Sequence, residues 1–366
     1  MRSRISRQAA LAARQSVLVL VLVGLGACAA AQPSVATSPS AAPAPGPAGA
    51  SASAGAPAVP VPALGQLRMS WSSPTSGPLP LHAALQQGFF EQRGLVVEPV
   101  FVAGAQAIAA LTAREIDVSY ADGTALVRAA LAGSDVVMLA STNNVLPYRL
   151  IAQPGLQRPE DLRGKRLGIT RFGTLSDFGA RYLLRALGLT PDAEVALIQV
   201  GNAPDLVPSL AAGAIDAGMF GMPEGYYALQ QGYVSLYDLA AVSPEYPNAP
   251  IGALRSAVVE RPEGLRALIA GLAEALAWIK QNRLETIQIL ASYTKMEDFE
   301  ALAATYDEHV PRWPRVPYAT PASVATVLEF IRADEPRAAT AQPTDFIDDR
   351  FVRELEQSGY FRQLYP

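Results

Sequence analysis

The stretch RFGTLSDFGARYLLRALGL, residues 171–189, sets Thr174, Ser176 and Asp177 in the first turn of a predicted amphipathic helix, just behind Gly173. Three kinds of chemistry suit that pattern. Amides at a helix start, approached closely through a glycine, can hold an oxyanion or a ring carbonyl. The side chains can instead cap the helix. Thr174 as N-cap with Asp177 three residues on resembles a capping box, with Asp in place of the usual Glu or Gln, and Asp177 suits the positive end of the helix dipole. A nucleophilic Ser176 needs a base and an orienting group beside it. The two histidines, His82 and His309, lie on an early helix and in the C-terminal region, and no GxSxG motif is present. The hydroxyls and Asp177 therefore read as caps, and Gly173 with the amides of residues 174–176 as ligand contacts. The two roles are compatible. Asp177 weighs against a strongly anionic ligand unless it points away.

Other side chains of the right type gather at predicted strand ends and loops. Arg171 could pair with a carboxylate, sulfonate or phosphate through its guanidinium fork. Trp71, Tyr120, Phe172, Phe220, Tyr226 and Tyr227 are aromatics of the kind that fill cores or stack on an organic solute. Ser72, Ser73 and Asp122 complete the candidate set. Asp122, beside Gly123, could accept hydrogen bonds from ring NH or amino groups, or cap a helix. Asn143, Asn144 and Tyr148 are further, weaker candidates. Two scattered histidines and one cysteine give no metal-ligand spacing, and no GxxxxGK[ST] phosphate loop occurs. The expectation is no metal, no cofactor and no catalytic residue.

The elements that must position these residues are legible from alternating runs. LRMSWS (67–72), LVVEPVFV (95–102) and IDVSYA (116–121) read as strands, with helical segments near 78–91 and 104–114. The order returns in RLGIT (166–170), EVALIQV (194–200) and IDAGMF (215–220), with helices near 174–187 and 203–213. Strands alternating with helices predict βαβ units and parallel pairing. The two sets align at an offset of about 99: Gly65 with Gly164, Leu95 with Glu194, and REID (114–117) with GAID (213–216). A repeat of pattern rather than of close sequence predicts two similarly built lobes. In open α/β sheets a ligand sits beyond the carboxyl ends of the strands. Six loops would meet there: 72–77, 103–106 and 121–124 from one lobe, 171–177, 201–204 and 221–225 from the other.

The N-terminus belongs to neither lobe. Four arginines (2, 4, 7 and 14) precede the apolar run VLVLVLVGL (17–25), the layout of an export signal. The following LGAC (25–28) resembles the lipobox of bacterial lipoproteins, which implies cleavage before Cys28, acylation of its thiol (palmitate or a similar chain) and a membrane anchor. Cys28 is the one cysteine, so disulfides are excluded. Loss of residues 1–27 removes four of 29 basic residues and none of the 33 acidic ones, leaving a net charge of −8. Such a chain offers no basic face to a nucleic acid. Residues 29–64, uncharged and with eight prolines, cannot build a core and read as a tether. Its mean reach as a random coil is roughly 35 Å.

HAALQQGFFEQRGLVVEPV (82–100), LTAREIDVSYADG (111–123), PEDLRGKRLGI (159–169), the 171–189 stretch and LAAGAIDAGMF (210–220) together carry a resemblance. Over residues 66–300 the chain resembles solute-binding proteins of ABC importers, in the group for nitrate, alkanesulfonates, taurine and thiamine-pyrimidine precursors. The resemblance implies an α/β, two-lobed type II periplasmic binding fold, each lobe a mostly parallel mixed sheet flanked by helices. Two crossing segments are expected near 145–155 and 245–258. The implied division is 1–27 signal, 28–64 anchor and tether, 65–150 plus 256–366 first lobe, and 151–255 second lobe. The implied role is capture of a small organic solute by a monomer that hands it to an ABC permease and its cytoplasmic ATPase. An enzyme on the same fold, similar to pyrimidine synthases or menaquinone-pathway lyases, and a ligand-sensing partner of a membrane receptor are the alternatives.

Overall fold

A computed structural model of the chain describes residues 63–72, 74–102, 106–120, 122–242 and 244–366. The export signal, Cys28, nearly all of the tether and Ser73 lie outside the described residues. The first five strands are β1 (Gly65–Trp71), β2 (Leu95–Phe101), β3 (Val118–Tyr120), β4 (Val136–Ser141) and β5 (Arg149–Ala152). The next five are β6 (Arg166–Ile169), β7 (Ala196–Gln199), β8 (Ala217–Phe220), β9 (Val234–Asp238) and β10 (Pro250–Leu254). They form two five-stranded sheets of matching plan, β2-β1-β3-β10-β4 and β7-β6-β8-β5-β9. In each, the first three strands pair in parallel and the last two join antiparallel. This is the α/β, two-sheet architecture expected, with all six predicted strands present to within two residues at their ends.

The internal repeat has a concrete chemical content. The Asp117 carboxylate accepts the backbone amide of Arg68 at 2.7 Å, and the Asp117 amide donates to the Arg68 carbonyl at 2.9 Å. In the other sheet Asp216 does the same to Arg166, at 2.9 Å in both directions. The aspartates of REID and GAID thus latch the third strand of each sheet onto its first. An edge guanidinium balances each charge: Arg261 on Asp117 at 2.7 Å, and Arg166 itself on Asp216 at 2.9 Å. Those partners hold the Asp216 carboxyl below the usual carboxylate range.

The fourth position in each sheet is filled by a strand that arrives from the other. β5 leaves β4 and enters the second sheet, and β10 leaves β9 and returns to the first. The crossings therefore run over 142–148 and 239–249, a few residues earlier than the sequence suggests, because Arg149–Ala152 and Pro250–Leu254 are sheet strands. The two crossings bond to each other. The amide of Thr142 donates to the Ala249 carbonyl at 3.0 Å, Ala249 to Asn143 at 3.1 Å, and Tyr246 to Asn144 at 2.9 Å. Asn143 and Asn144 serve this join: the Asn143 side chain accepts the Val145 amide, and Asn144 donates to the Tyr318 carbonyl.

Beyond Leu254 the chain packs mainly on the first sheet. The Pro262–Gln281 helix buries an apolar face in the core formed by Leu67, Met69, Leu95 and Phe90, and the Phe299–His309 helix adds Leu302 and Tyr306 to that core. β10 and the end strand β4 are buried along their whole length, because elements cover both faces and the Ile347 segment lies beside β4. No described helix is long and apolar enough to cross a membrane.

One close approach ties the first sheet to the second crossing. A Cβ placed on Gly123 would stand 2.3 Å from Pro247 Cγ and 2.5 Å from its carbonyl oxygen. Overpacking of this kind costs roughly 1–3 kcal/mol. Gly123→Ala is expected to lower the thermal midpoint accordingly, whereas Gly155→Ala, whose Cβ would meet nothing within 4 Å, should stay within about 0.5 kcal/mol of the parent. Parallel melting curves of the two variants check this.

Candidate functional site

Between the two sheets, at the carboxyl ends of β1, β3 and β8, lies a cavity of about 290 Å³. That is near the lower end of the size range of small-molecule sites. Its walls come from the 72–78 loop, from Tyr120 and Asp122 after β3, from Leu175, Gly221 and Met222 beyond the second sheet, and from the crossings through Tyr148 and Asn248. His309 closes it from the C-terminal helices. Both sheets and both crossings thus contribute to one wall.

The 72–78 loop is held from behind. Tyr293 donates its hydroxyl to the Thr75 carbonyl at 2.6 Å, and Ser76 Oγ bonds His309 Nδ1 at 2.5 Å. The backbone around His309 is itself fixed by Lys280, which donates to the carbonyls of Val310 and Trp313, both at 2.8 Å. His309 is 6% exposed and its Nε2 has no partner among the described residues. Burial pulls the His309 imidazole down to about 4, against an ordinary 6.5, so the ring is neutral at pH 7. On the other side, the Tyr120 hydroxyl bonds Thr142 Oγ1 on the first crossing. Burial raises both Tyr120 and Tyr148 far above the phenol range, so both remain neutral hydroxyls.

Asp122 caps the helix Gly123–Leu131, its Oδ1 accepting the amides of Thr124 at 2.9 Å and Ala125 at 3.3 Å. Its Oδ2 accepts the Tyr246 hydroxyl at 2.9 Å. Burial raises its pKa, against the opposing pull of Tyr246, the two amides and the Thr124 side chain. Among the described residues it is the one ionisable carboxyl in the cavity wall, which includes no arginine or lysine.

The 171–177 turn departs from the expected capping box. Thr174 occupies the N-cap position, but its side chain makes no cap bond; its hydroxyl donates to the Arg171 carbonyl at 2.7 Å. The Asp177 carboxylate reaches one residue further back and accepts the Gly173 amide at 2.9 Å, while its other oxygen takes Arg181 at 2.8 Å. A carboxylate of the chain's own therefore takes the Gly173 amide, which the sequence suggests as a ligand contact. Ser176 is fully buried, its Oγ accepting the Thr170 amide at 3.0 Å and so pinning the end of β6 to the helix.

Of the residues singled out from sequence, Ser72, Tyr120 and Asp122 line the cavity, joined by Tyr148. Gly173 and Thr174 line a neighbouring crevice of about 610 Å³ that shares Asp122 and Leu175 with it. The others stand elsewhere. Trp71 packs edge-on against His82 and Phe101, each at 4.9 Å between ring centres. Phe220 is buried with Ile151 and Leu206. Tyr226 packs against Tyr227 at 5.7 Å. Arg171 bonds Asn202 at 2.5 Å, and Phe172 lies exposed under the Arg181 guanidinium. His309, Ser76 and Asn248 escaped the sequence reading. Ser76 and His309 meet across 233 positions, and no local motif announces such a pair.

An ion cluster spans the two halves beside His309. Arg149 of β5 binds Glu308 at 2.7 Å and Asp238 of β9 at 3.2 Å. Arg312 binds the same Asp238 at 2.7 Å and also pairs with Glu308. Burial pushes Glu308 up, but the two guanidiniums outweigh it and hold the carboxyl below its usual range.

Two matching sheets, exchanged fourth strands and a cavity at the crossings define the two-lobed periplasmic-binding class of fold. The chain belongs to the NMT1/THI5-like family, whose model matches residues 77–285, more than half its length. It is similar to a "putative binding protein" of Brucella abortus (strain 2308), 28% identical over 219 residues that cover 58% of this chain and 67% of the relative. Among solved structures it is similar to the periplasmic aliphatic sulphonate binding protein SsuA from Escherichia coli, at 19% identity and a TM-score of 0.65, covering 78% of this chain and 91% of that one. It is also similar to the periplasmic nitrate-binding protein NrtA from Synechocystis PCC 6803, at 17% identity and a TM-score of 0.61, covering 82% and 91%.

The buried His309 carries a pH signature. With a folded-state pKa of about 4 against 6.5, the unfolded chain takes up the proton first as pH falls. Its contribution is complete above pH 6.5 and is lost between 6.5 and 4, by up to roughly 3 kcal/mol. A His309→Gln variant should lose less stability than the parent across that window in thermal melts at stepped pH. Equal slopes would count against a buried neutral His309.

Proposed function

We propose that this chain is the extracytoplasmic solute-binding component of an ABC importer, capturing a small organic solute between its lobes and presenting it to a permease driven by a cytoplasmic ATPase. The observation that carries the reading is the cavity itself, walled by both sheets and both crossings at the strand carboxyl ends, in a chain of this family. The names of the relatives support it. Besides the binding proteins above, a Synechocystis "nitrate import ATP-binding protein" is 27% identical over 248 residues, covering 60% of this chain and 36% of that protein. The N-terminal sequence supports export and a lipid anchor on Cys28. In this reading the solute leaves unaltered. Mass spectrometry of solute released from the purified protein tests this: an unmodified small molecule that rebinds is expected, and a chemically altered product would sink the reading.

Capture in this reading works by closure, and the ion cluster of Arg149, Asp238, Glu308 and Arg312 is its latch. Closure must be favoured by contacts that exist in only one of the two states. Arg149 and Asp238 lie on the second sheet, Glu308 and Arg312 on helical segments packed with the first. Hydrogen bonds to charged groups are worth about 1.5–3 kcal/mol each. Glu308→Gln is therefore expected to weaken solute affinity about tenfold or more and to enlarge the solution radius of gyration of the solute-bound protein. Calorimetry and small-angle scattering read the two effects together, and unchanged values in both would remove the latch.

A further inference from the structure

Three helices start at the cavity, and at each an internal group takes or removes some of the amide donors. The helix Leu79–Gln86 carries Pro78 before it and Pro80 within its first turn, neither with an N–H, and the Leu79 amide donates to the Ser76 carbonyl at 3.1 Å. At the helix Gly123–Leu131 the Gly123 amide is taken by Pro247, and those of Thr124 and Ala125 by Asp122. At the helix Leu175–Ala186 the Asp177 carboxylate takes Gly173 and stands beside the first-turn amides. Anion sites are ordinarily built from such amides, or from arginine and lysine; among the described residues the cavity wall has neither arginine nor lysine, and Arg128, Arg181 and Arg185 line only the adjoining crevice.

What the wall has instead is acceptors. Asp122 faces the cavity with no cation bound to it, a part-buried carboxyl steadied by a phenol, two amides and the Thr124 side chain. Removing an ionised carboxylate from water is unfavourable unless an opposite charge pairs with it. His309 adds a buried neutral ring whose Nδ1 bonds Ser76 Oγ and whose Nε2 has no partner among the described residues. Tyr120 and Tyr148 supply aromatic wall, and tyrosine faces attract cations.

We propose that the solute is a small organic cation, a protonated amine or amidinium, whose N–H groups meet Asp122 and whose charge Asp122 balances, and that the cleft rejects anions of the sulfonate or nitrate kind. This rests on the solute-binding reading and specifies the charge of what that site takes. Asp122 is then a specificity-determining residue as well as a helix cap.

The test uses an isosteric series of three probes on the full protein, stripped of retained solute by unfolding and refolding: benzamidine, benzamide and benzoate, which carry charges of +1, 0 and −1. Calorimetric titration is expected to give benzamidine at least tenfold tighter than benzoate, with benzamide between. Asp122→Asn, which keeps a good N-cap residue but removes the charge, should weaken benzamidine at least tenfold and leave benzamide within about threefold. The series on the parent protein stands even where the variant does not fold. Mass spectrometry of the retained solute gives its charge independently, and a cation is expected. Benzoate equal to or tighter than benzamidine, or a retained anion, overturns the cation assignment while leaving solute binding intact. No response to any of the three, with no solute retained, overturns both.

Discussion

The chain passes between its two sheets twice, and those two passages are joined to each other by backbone hydrogen bonds. On that join the rest of the structure depends. Because β5 and β10 are each inserted into a sheet begun by the other half, neither sheet closes its strand order without the crossings. Segments 142–148 and 239–249 therefore combine two constraints that usually fall on different parts of a protein. They must satisfy their own amides, which they do through Thr142, Asn143, Asn144, Tyr246 and Ala249, and they must also form a wall of the cavity through Tyr148 and Asn248. Gly123 marks how tightly this is fitted, since its missing Cβ is the space that Pro247 occupies.

The parallel half of each sheet was legible in the sequence because its signals are local. Apolar runs bounded by glycines, helices of the expected length, and a recurring Ile-Asp pair all lie within a window of about 60 residues. The aspartates of REID and GAID show why the spacing inside each half is alike: each must reach back to the first strand of its own sheet, Asp117 to Arg68 and Asp216 to Arg166. The antiparallel half was less legible. RLIA, VSLYD and PIGAL are four or five residues long and acquire their partners from across the molecule, so nothing near them in sequence fixes their register. That is the physical reason the crossings lie a few residues earlier than expected.

For the site, the sequence was informative about Asp122 and Tyr120, which follow directly from a strand end and a glycine. It was less so for residues whose role depends on side-chain reach. Asp177 is one: the spacing alone is compatible with a capping box, but the carboxylate extends past the N-cap to Gly173 and is drawn to Arg181 a turn below. The aromatics are another. Trp71 and Phe220 stand at strand ends as expected, yet one turns toward His82 and Phe101 and the other into the core. Alternation along a strand fixes which face a residue takes only when register and bend are known. His309 lay beyond local reasoning altogether.

Solved neighbours named for sulphonate and nitrate share this architecture, so charge preference here must be decided by details that the fold leaves free. Three of those details act in one direction. Proline replaces amide donors at one helix start, an internal aspartate covers them at the second, and another aspartate competes for them at the third. Each device also has a purely structural use as a cap or an N-terminal helix residue, so the same side chains that stabilise the helices alter the electrostatics of the cavity. Of the guanidiniums around it, Arg128 and Arg185 line the adjoining crevice, and no arginine forms an ion pair with Asp122 among the described residues. Arg181 is committed to Asp177 and Asp192, and Arg149 and Arg312 to Asp238 and Glu308. Positive charge is thus spent on holding helices and halves together, and the cavity keeps the one carboxyl that no cation of the chain's own neutralises.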